Sequence, residues 1–371
     1  MSSSCAMTNP YKRLAASIAI VATLSAPAAR GASEVDPALS WGAFTSTPVG
    51  ASLAAIAART SKDVWAVGLH LGGPCQFQTL TERFDGTSWR VVPNPIVQGS
   101  VLADVAALAR NDAWVVGSSG CDNLHSETLA EHWDGASWTL VPTPLPGTFD
   151  VLAAVAAISP TDVWALGSTQ QGATSGTLAE HWDGASWSIV ASPSVTAVDE
   201  LAAASASSTS DVWAVGSGPS GDSDTPVALH WDGSTWQAVA VPTPGNVPGF
   251  LSGVFTRGPS DAWAVGGYRP EAGSVRPLAL HWDGQGWHRT RVPVAGTFVV
   301  LESVSGAPGG GVWASGFTVD EISSRAIVLR HTGMGWVVVD PPATTDVFDL
   351  SVLPGGELWG VSGADVVHGL P

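Results

Sequence analysis

Acidic residues recur along the chain at positions from which they can be brought around one axis. They lie just before or within short apolar stretches that repeat through the sequence, and they are Asp104, Asp150, Asp199, Glu200, Glu302, Asp346 and Asp349. Converging carboxylates bind a hard cation such as calcium through oxygen ligands, or shift one another's pKa for acid–base catalysis. The seven match no recognised ligand spacing, so the alternative interpretation is a set of solvated acids at a channel mouth.

Histidines form a second group of residues that could bind a metal or take part in catalysis. One set occupies the same place in four consecutive repeats: His132, His181, His230 and His281. Because residues repeated around a ring cannot meet at one metal, we expect each of them to hydrogen-bond within its own repeat. Other candidates lie in segments that vary between repeats, where binding residues usually reside: His70, His125, Tyr268 and Arg269. A metal held by His70 and His125 is a further hypothesis.

The element that must position these residues is a repeat of about 50 residues. All 18 tryptophans belong to it, and one series of them, from Trp65 to Trp359, steps by 49, 50, 49, 50, 50 and 46 residues. The copy 151–193 predicts four short strands, A to D, with an Asp-Gly turn before the last. A period of this length is typical of propellers and other repeat arrays.

The chain termini predict the number of repeats. The seventh unit, 346–371, has strands A, B and C but lacks strand D, whereas an orphan strand D surrounds Trp41. Joining the two removes the last free sheet edge. The sequence therefore predicts an all-β, seven-bladed propeller of four-stranded antiparallel blades, closed by the N-terminal strand, with tryptophans packed between the blades.

The repeats resemble those of the kelch family, as in galactose oxidase-like propellers, over residues 39–371. The resemblance is carried by a Gly-terminated strand B, an aromatic-Asp pair near the end of strand C, and the Trp that opens strand D. It implies the propeller fold. It does not imply the copper radical activity, because that site needs two tyrosines and Tyr268 is the only one after the first 31 residues.

Residues 1–31 are expected to be a cleaved secretory signal, since Lys12-Arg13 precede a short apolar stretch and a small-residue cleavage site. Residues 32–371 then form a single propeller domain, without a segment that could span a membrane. Cys75 and Cys121 occupy B–C loops of adjacent repeats, and either a disulfide or two free thiols fits this placement. We expect a secreted or extracytoplasmic monomer.

The net charge of −17 disfavours nucleic acid as a partner. The structural repeat is complete and no catalytic motif accompanies it, so the leading hypothesis is a non-catalytic binding propeller. Its ligand would be an extracellular protein, a surface polymer or a glycan, held on the face of the B–C and D–A loops. The alternative is a hydrolase or lyase that uses the channel-mouth carboxylates, with a divalent cation. Apart from such a calcium ion, no cofactor is expected.

Overall fold

The computed structural model describes residues 39–371 except 46, 47, 49, 73, 74, 76, 122–124, 173, 197, 198, 220–223, 308, 309, 321, 322 and 345. The predicted signal segment, residues 1–31, lies outside this range. The described residues form seven four-stranded antiparallel sheets, so the predicted seven-bladed propeller is confirmed. No helix in this part of the chain is long and apolar enough to cross a membrane.

The first three blades share one strand order, from the innermost strand A to the outermost strand D. Blade 1 contains β2 (Ala51–Thr60), β3 (Asp63–Leu71), β4 (Phe77–Phe84) and β5 (Trp89–Val91). Blade 2 contains β6 (Ser100–Ala109), β7 (Asp112–Ser119), β8 (Glu127–Trp133) and β9 (Trp138–Leu140). Blade 3 contains β10 (Phe149–Ser159), β11 (Asp162–Gln171), β12 (Thr174–Trp182) and β13 (Trp187–Ile189).

The next three blades repeat this order. Blade 4 contains β14 (Glu200–Ser208), β15 (Asp211–Gly218), β16 (Thr225–Trp231) and β17 (Trp236–Ala238). Blade 5 contains β18 (Gly249–Gly258), β19 (Asp261–Tyr268), β20 (Arg276–Trp282) and β21 (Trp287–Arg289). Blade 6 contains β22 (Phe298–Gly306), β23 (Val312–Val319), β24 (Ser324–His331) and β25 (Trp336–Val339).

Blade 7 closes the ring with strands from both ends of the described chain. Its inner strands are β26 (Asp349–Val352), β27 (Leu358–Ser362) and β28 (Asp365–Leu370), and its outermost strand is β1 (Ser40–Thr45). Trp41 on β1 donates from Nε1 to the carbonyl of Asp340 in blade 6, at 2.8 Å. The N-terminal strand thus pairs with β28 to complete blade 7, as predicted, and it also bonds to the neighbouring blade.

The core lies between blades, and tryptophans occupy each of these layers. Trp65 of blade 1 is buried and contacts Trp133 and Trp138 of blade 2 edge-on, at 5.2 and 5.0 Å between ring centroids. Equivalent contacts recur at the following interfaces; for instance, Trp213 of blade 4 packs against Trp287 of blade 5. Each indole buries on the order of 200 Å², which explains why the repeat retains it.

Asp-Gly turns join strands C and D. In blade 2, Asp134 Oδ1 accepts hydrogen bonds from the N–H groups of Ala136 and Ser137, at 2.8 and 2.9 Å. Gly135 has a φ of 99°, a conformation that residues with a Cβ rarely adopt. The antiparallel strand order therefore places the A–B and C–D turns on one face of the ring, and the B–C and D–A loops on the other, called the loop face below.

Candidate functional site

The loop face is fastened by a disulfide between blades 1 and 2. Cys75 and Cys121 lie in the B–C loops of these blades, and their sulfur atoms are 1.99 Å apart. Gln98, in the D–A loop between the same two blades, lies beside both sulfur atoms. The cross-link spans 46 residues of sequence and ties two variable loops together.

Large apolar side chains are exposed on the same sector. Ile96 and Leu145, in the D–A loops that follow blades 1 and 2, are 89% and 51% exposed, and Leu71 and Val195 are exposed as well. Among the described residues, the loop face of blades 4 to 6 exposes no large apolar side chain. Sequence reasoning missed this patch. The available signal was that Ile96 and Leu145 each follow a proline that has already ended strand D.

Two of the predicted channel-mouth acids use their carboxylates to accept hydrogen bonds that hold their own D–A loops. Asp150 is fully buried, and its carboxylate accepts hydrogen bonds from the N–H of Gly147 at 2.9 Å and from the hydroxyl of Thr169. Asp199 is also fully buried and accepts from the backbone N–H groups of Val195 and Thr196. These carboxylates shape the loops from inside and do not face solvent.

Asp104 and Asp349 lie along the innermost strands, where each joins its blade to another. Asp104 Oδ2 accepts from the N–H of Val155 in blade 3 at 2.8 Å, and Asp349 Oδ2 accepts from the N–H of Ile56 in blade 1 at 2.9 Å. Burial and, to a smaller extent, the charge of Asp349 together raise the pKa of Asp104 to about 7. Burial also raises the pKa of Asp349. Both acids use their oxygens to satisfy free strand edges.

The other three predicted acids, Glu200, Glu302 and Asp346, are partly buried. Asp346 accepts from the hydroxyl of Ser362 at 2.9 Å, and Glu302 is the residue at which the pairing of β22 with β23 shifts register. No three His, Cys, Asp or Glu side chains are grouped as metal ligands in the part of the chain that the structure describes. The seven acids predicted to converge at the channel mouth therefore do not form a single site.

The loop residues singled out from sequence are also dispersed. His70 lies near the end of β3, and its Nδ1 is buried without a hydrogen-bond partner. His125 is exposed beside the strand C of blade 2. Arg269 forms an ion pair with the buried Asp224 at 3.0 Å and so links the B–C loops of blades 5 and 4. Tyr268, at the end of β19, packs into the interface between blades 4 and 5.

The four repeated histidines hydrogen-bond within their blades, as predicted. In blade 2, His132 Nε2 lies 2.9 Å from Asp112 Oδ1, and its ring stacks on Trp114 with 4.5 Å between centroids. The same pair recurs in blades 3, 4 and 5. These residues connect strand C to the A–B turn on the face opposite the loop face.

Buried glutamates in strand C were not anticipated from the sequence. Glu82, Glu131 and Glu180 are fully buried at the same position of blades 1, 2 and 3. Glu131 Oε2 accepts from the amide of Asn94 in blade 1, whereas neither oxygen of Glu180 has a hydrogen-bond partner. Burial raises the pKa of Glu131 to about 7 and that of Glu180 to about 8, where the charge of Asp150 adds to the effect. The signal was the Glu that precedes His in the Ala-Glu-His-Trp segments of blades 2 and 3 and that precedes Arg83 in blade 1.

No protein-family model matches the chain, and the comparison with curated proteins gives no match. The structure of YCF48 bound to D1 peptide is 15% identical, with a TM-score of 0.59, and the match covers 90% of this chain and 99% of that chain. A catalytically inactive virginiamycin B lyase from Staphylococcus aureus with quinupristin is 9% identical, with a TM-score of 0.63 and the same coverage. The WD40 propeller of Doa1 is 12% identical, with a TM-score of 0.56, over 88% of this chain and 96% of that one. These similarities show the β-propeller fold, and they do not select the kelch family.

Proposed function

We propose that the protein is a secreted binding propeller that holds a protein partner on the loop face of blades 1 to 3. The observation that carries the proposal is that the loop face of blades 1 to 3 exposes four large apolar side chains, Leu71, Ile96, Leu145 and Val195. Apolar side chains that are exposed together on one surface are a feature of protein interaction sites. The solved structure of YCF48, a propeller of similar fold, contains a bound D1 peptide, which supports a peptide segment as the ligand.

Charge narrows the chemistry of this partner. The stretch 111–256, which includes blade 3, blade 4 and most of blade 2, contains acids but no Lys or Arg. Because this stretch has no positive side chain and the net charge is −17, it disfavours acidic polymers as partners. The proposed ligand is therefore a polypeptide segment with apolar side chains. This choice places a protein ahead of a surface polymer or a glycan.

Two features, the disulfide and the predicted signal segment, support export, and the repeat residues support the family assignment. A disulfide between variable loops is typical of an oxidising compartment, and Cys75–Cys121 is of this type. Together with the predicted signal segment 1–31, it favours a secreted or extracytoplasmic location. The kelch-like assignment remains a proposal that rests on the repeat residues named from the sequence.

A selection experiment tests the binding function. A displayed library of random peptides is selected on the immobilised protein, and the enriched peptides are titrated against two variants. Ile96→Asp/Leu145→Asp places charge in the exposed patch, and we expect it to weaken binding at least about tenfold. The matched control is Met334→Asp, because Met334 is 98% exposed on the opposite face; its affinity should equal the wild type. Absence of any enriched motif, or equal binding to all three proteins, would contradict the proposal.

A hydrolase or lyase activity is the second candidate. The observation in its favour is Asp104, whose pKa is raised to about 7 by burial and by Asp349, since a poised carboxyl suits acid–base catalysis. However, Asp104 already accepts hydrogen bonds from Val105 and Val155, which limits its access to a substrate. The catalytic candidate predicts that Asp104→Asn or Glu302→Gln abolishes a turnover without lowering the melting temperature.

A further inference from the structure

Glu180 is a fully buried carboxyl at the interface between blades 2 and 3. Strand β12 places Leu178 and Glu180 on the same face, because successive side chains of a strand point to opposite faces. Leu178 packs against Trp114 and Val116 of blade 2. Glu180 therefore faces blade 2, where neither of its carboxyl oxygens has a hydrogen-bond partner.

The equivalent interface between blades 1 and 2 shows what such a carboxyl accepts. Asn94 lies in the D–A loop of that interface, and its Nδ2 donates to Oε2 of Glu131. Its Oδ1 accepts from the hydroxyl of Thr81 in blade 1, at 3.1 Å. The amide of Asn94 thus bridges strand C of one blade and the glutamate of the next, and it supplies the buried carboxyl with an N–H donor.

Thr143 replaces Asn94 in the D–A loop between blades 2 and 3. Both residues lie five positions after the Trp that opens strand D, inside a Pro-x-Pro segment. The hydroxyl of Thr143 is 2.7 Å from the hydroxyl of Thr128, so it bonds within blade 2. A threonine side chain has no N–H group and is one heavy atom shorter than asparagine. It therefore does not supply Glu180 with the donor that Glu131 receives.

The surrounding chain provides no lysine or arginine for this carboxyl. Residues 111–256 contain neither type, and Arg110, just before them, lies in an A–B turn on the opposite face. Burial and then the charge of Asp150, at the start of β10, raise the pKa of Glu180 to about 8. An opposite charge within a few ångströms would favour the ionised carboxylate. Such a charge has to come from a ligand.

Exposed apolar side chains flank the same place. Leu145, two residues after Thr143 in the D–A loop, is 51% exposed. Ile189, which pairs with Glu180 across strands C and D, is 49% exposed. Thr143 itself is partly exposed. A ligand group with an alkyl stem and a positive head would thus meet apolar contacts at the surface and a carboxyl behind them.

We propose that the interface between blades 2 and 3 binds a primary ammonium group, the lysine side chain of the polypeptide partner, at the carboxyl of Glu180. The ammonium nitrogen takes the place that Nδ2 of Asn94 has beside Glu131, and it donates a charge-assisted hydrogen bond. The alkyl stem lies against Leu145 and Ile189. Lysine fits this place better than arginine, because an ammonium group is compact and a guanidinium group is a broad planar fork. That the ammonium belongs to a partner rests on the proposed function of the loop face, whereas the ammonium site itself does not.

The probe for the site is n-butylammonium chloride, which reproduces the lysine side chain without a peptide. Titration calorimetry is run at about pH 9, above the pKa of about 8 of Glu180 and below the ordinary lysine value of about 10.4. We expect the wild type to bind the probe and Thr143→Asn to bind it at least about tenfold more weakly, because the new amide occupies the place of the ammonium. Thr143→Asn should melt at the same or a higher temperature, since Glu180 then gains a donor.

Two further variants complete this test. Glu180→Gln removes the charge at nearly constant size, and it should also lose the probe. Thr243→Asn is the matched control, because Thr243 lies in the same Pro-Thr-Pro sequence before blade 5, where the buried strand C residue is Leu280; its affinity should equal the wild type. The site is overturned if the wild type does not bind n-butylammonium, or if folded Thr143→Asn or Glu180→Gln binds it as the wild type does.

Peptides test the lysine of the partner separately. Each peptide enriched in the display selection is compared with a copy in which norleucine replaces lysine, which keeps the alkyl chain and removes the ammonium. We expect the wild type to bind the norleucine copy at least about tenfold more weakly, and Thr143→Asn to bind both copies equally. Enriched peptides without lysine, or equal affinity of the wild type for both copies, would overturn the lysine assignment while the binding function stands. If no peptide is enriched, the binding function is contradicted, and the n-butylammonium titration still decides the ammonium site.

Discussion

Blades 1 to 3 and blades 4 to 6 differ at one fully buried position of strand C. The first three blades place a glutamate there, and the next three place Leu229, Leu280 and Leu329. Each side chain faces the preceding blade: Glu131 bonds to Asn94 of blade 1, and Leu229 packs into the interface with blade 3. Since leucine fills the position well, the propeller itself does not require the carboxyl groups.

The same division appears on the loop face. Blades 1 to 3 expose Leu71, Ile96, Leu145 and Val195, and the disulfide joins blades 1 and 2. On the other side of the ring, Arg269 and Asp224 form an ion pair between loops. In blades 1 to 3, the buried glutamates and the exposed apolar side chains therefore both differ from the residues that packing alone would favour. We infer that this sector is specialised for binding.

The largest effect on stability should come from placing a carboxyl at the equivalent buried position of blades 4 to 6. Leu229→Glu removes a buried leucine and introduces a carboxyl without an arranged partner, so we expect the free energy of unfolding to fall by about 3–5 kcal/mol. Urea denaturation measures the change. A loss below about 1 kcal/mol would mean that both sectors tolerate a buried carboxyl equally, and the distinction between them would disappear.

Removing the disulfide should have the next largest effect. Cys75→Ser/Cys121→Ser releases a cross-link that spans 46 residues, and we expect a loss of about 2–4 kcal/mol because the unfolded chain gains freedom. Thermal unfolding with and without reductant checks this, and reductant should affect only the wild type. Equal melting temperatures for the oxidised wild type and the double variant would show that the cross-link does not stabilise this sector.

Glu180→Leu should stabilise the protein, by about 1–2 kcal/mol near neutral pH, because neither carboxyl oxygen has a partner and leucine occupies the same position in blade 4. Glu131→Leu is its matched control. In the wild type the amide of Asn94 donates to Glu131, and the variant leaves that amide without its acceptor. The gain in stability should therefore be smaller or absent. If both variants lose stability in urea denaturation, the glutamates contribute to packing in a way that leucine cannot replace.

The pH dependence of stability should also distinguish the two sectors. The pKa of Glu180 in the folded protein is about 8, above its ordinary value of 4.5, and the pKa values of Glu131 and Asp104 are about 7. The folded state therefore holds these protons more tightly than the unfolded state. Their contribution is fully present below the ordinary carboxyl value and is lost as the pH rises through 7 to 8.

A comparison of wild type with Glu180→Leu isolates this contribution. The free energy of unfolding of the wild type should decline from about pH 5 to about pH 9, and that of the variant should decline less. Superimposable pH profiles would show that Glu180 titrates as an ordinary carboxyl in the folded protein.

The fold was predictable because its determinants are local and repeated. The tryptophan spacing, the Asp-Gly turns and the orphan strand at Trp41 each report on a nearby backbone feature, and seven copies reinforce one another. Ring closure followed from what the seventh unit lacked. Tertiary contacts did not need to be known for any of these inferences.

The candidate site was less predictable because it depends on contacts between blades. Asp104 was expected at a channel mouth, yet it bonds to the N–H of Val155 in another blade. Period-2 alternation places Glu180 and His181 on opposite faces of strand C, but it does not say which face lacks a polar partner. The exposure of Ile96 depends on the path of a loop after a proline, and sequence patterns do not define that path.

Hydrogen exchange of the protein with a selected peptide tests the central proposal most directly. Because Ile96 and Leu145 are exposed on the D–A loops that follow blades 1 and 2, bound peptide should protect the backbone amides of residues 94–99 and 143–148. The A–B and C–D turns on the opposite face should exchange as in the free protein. Protection confined to blades 4 to 6 or to the opposite face, with none in these two loops, would contradict the account.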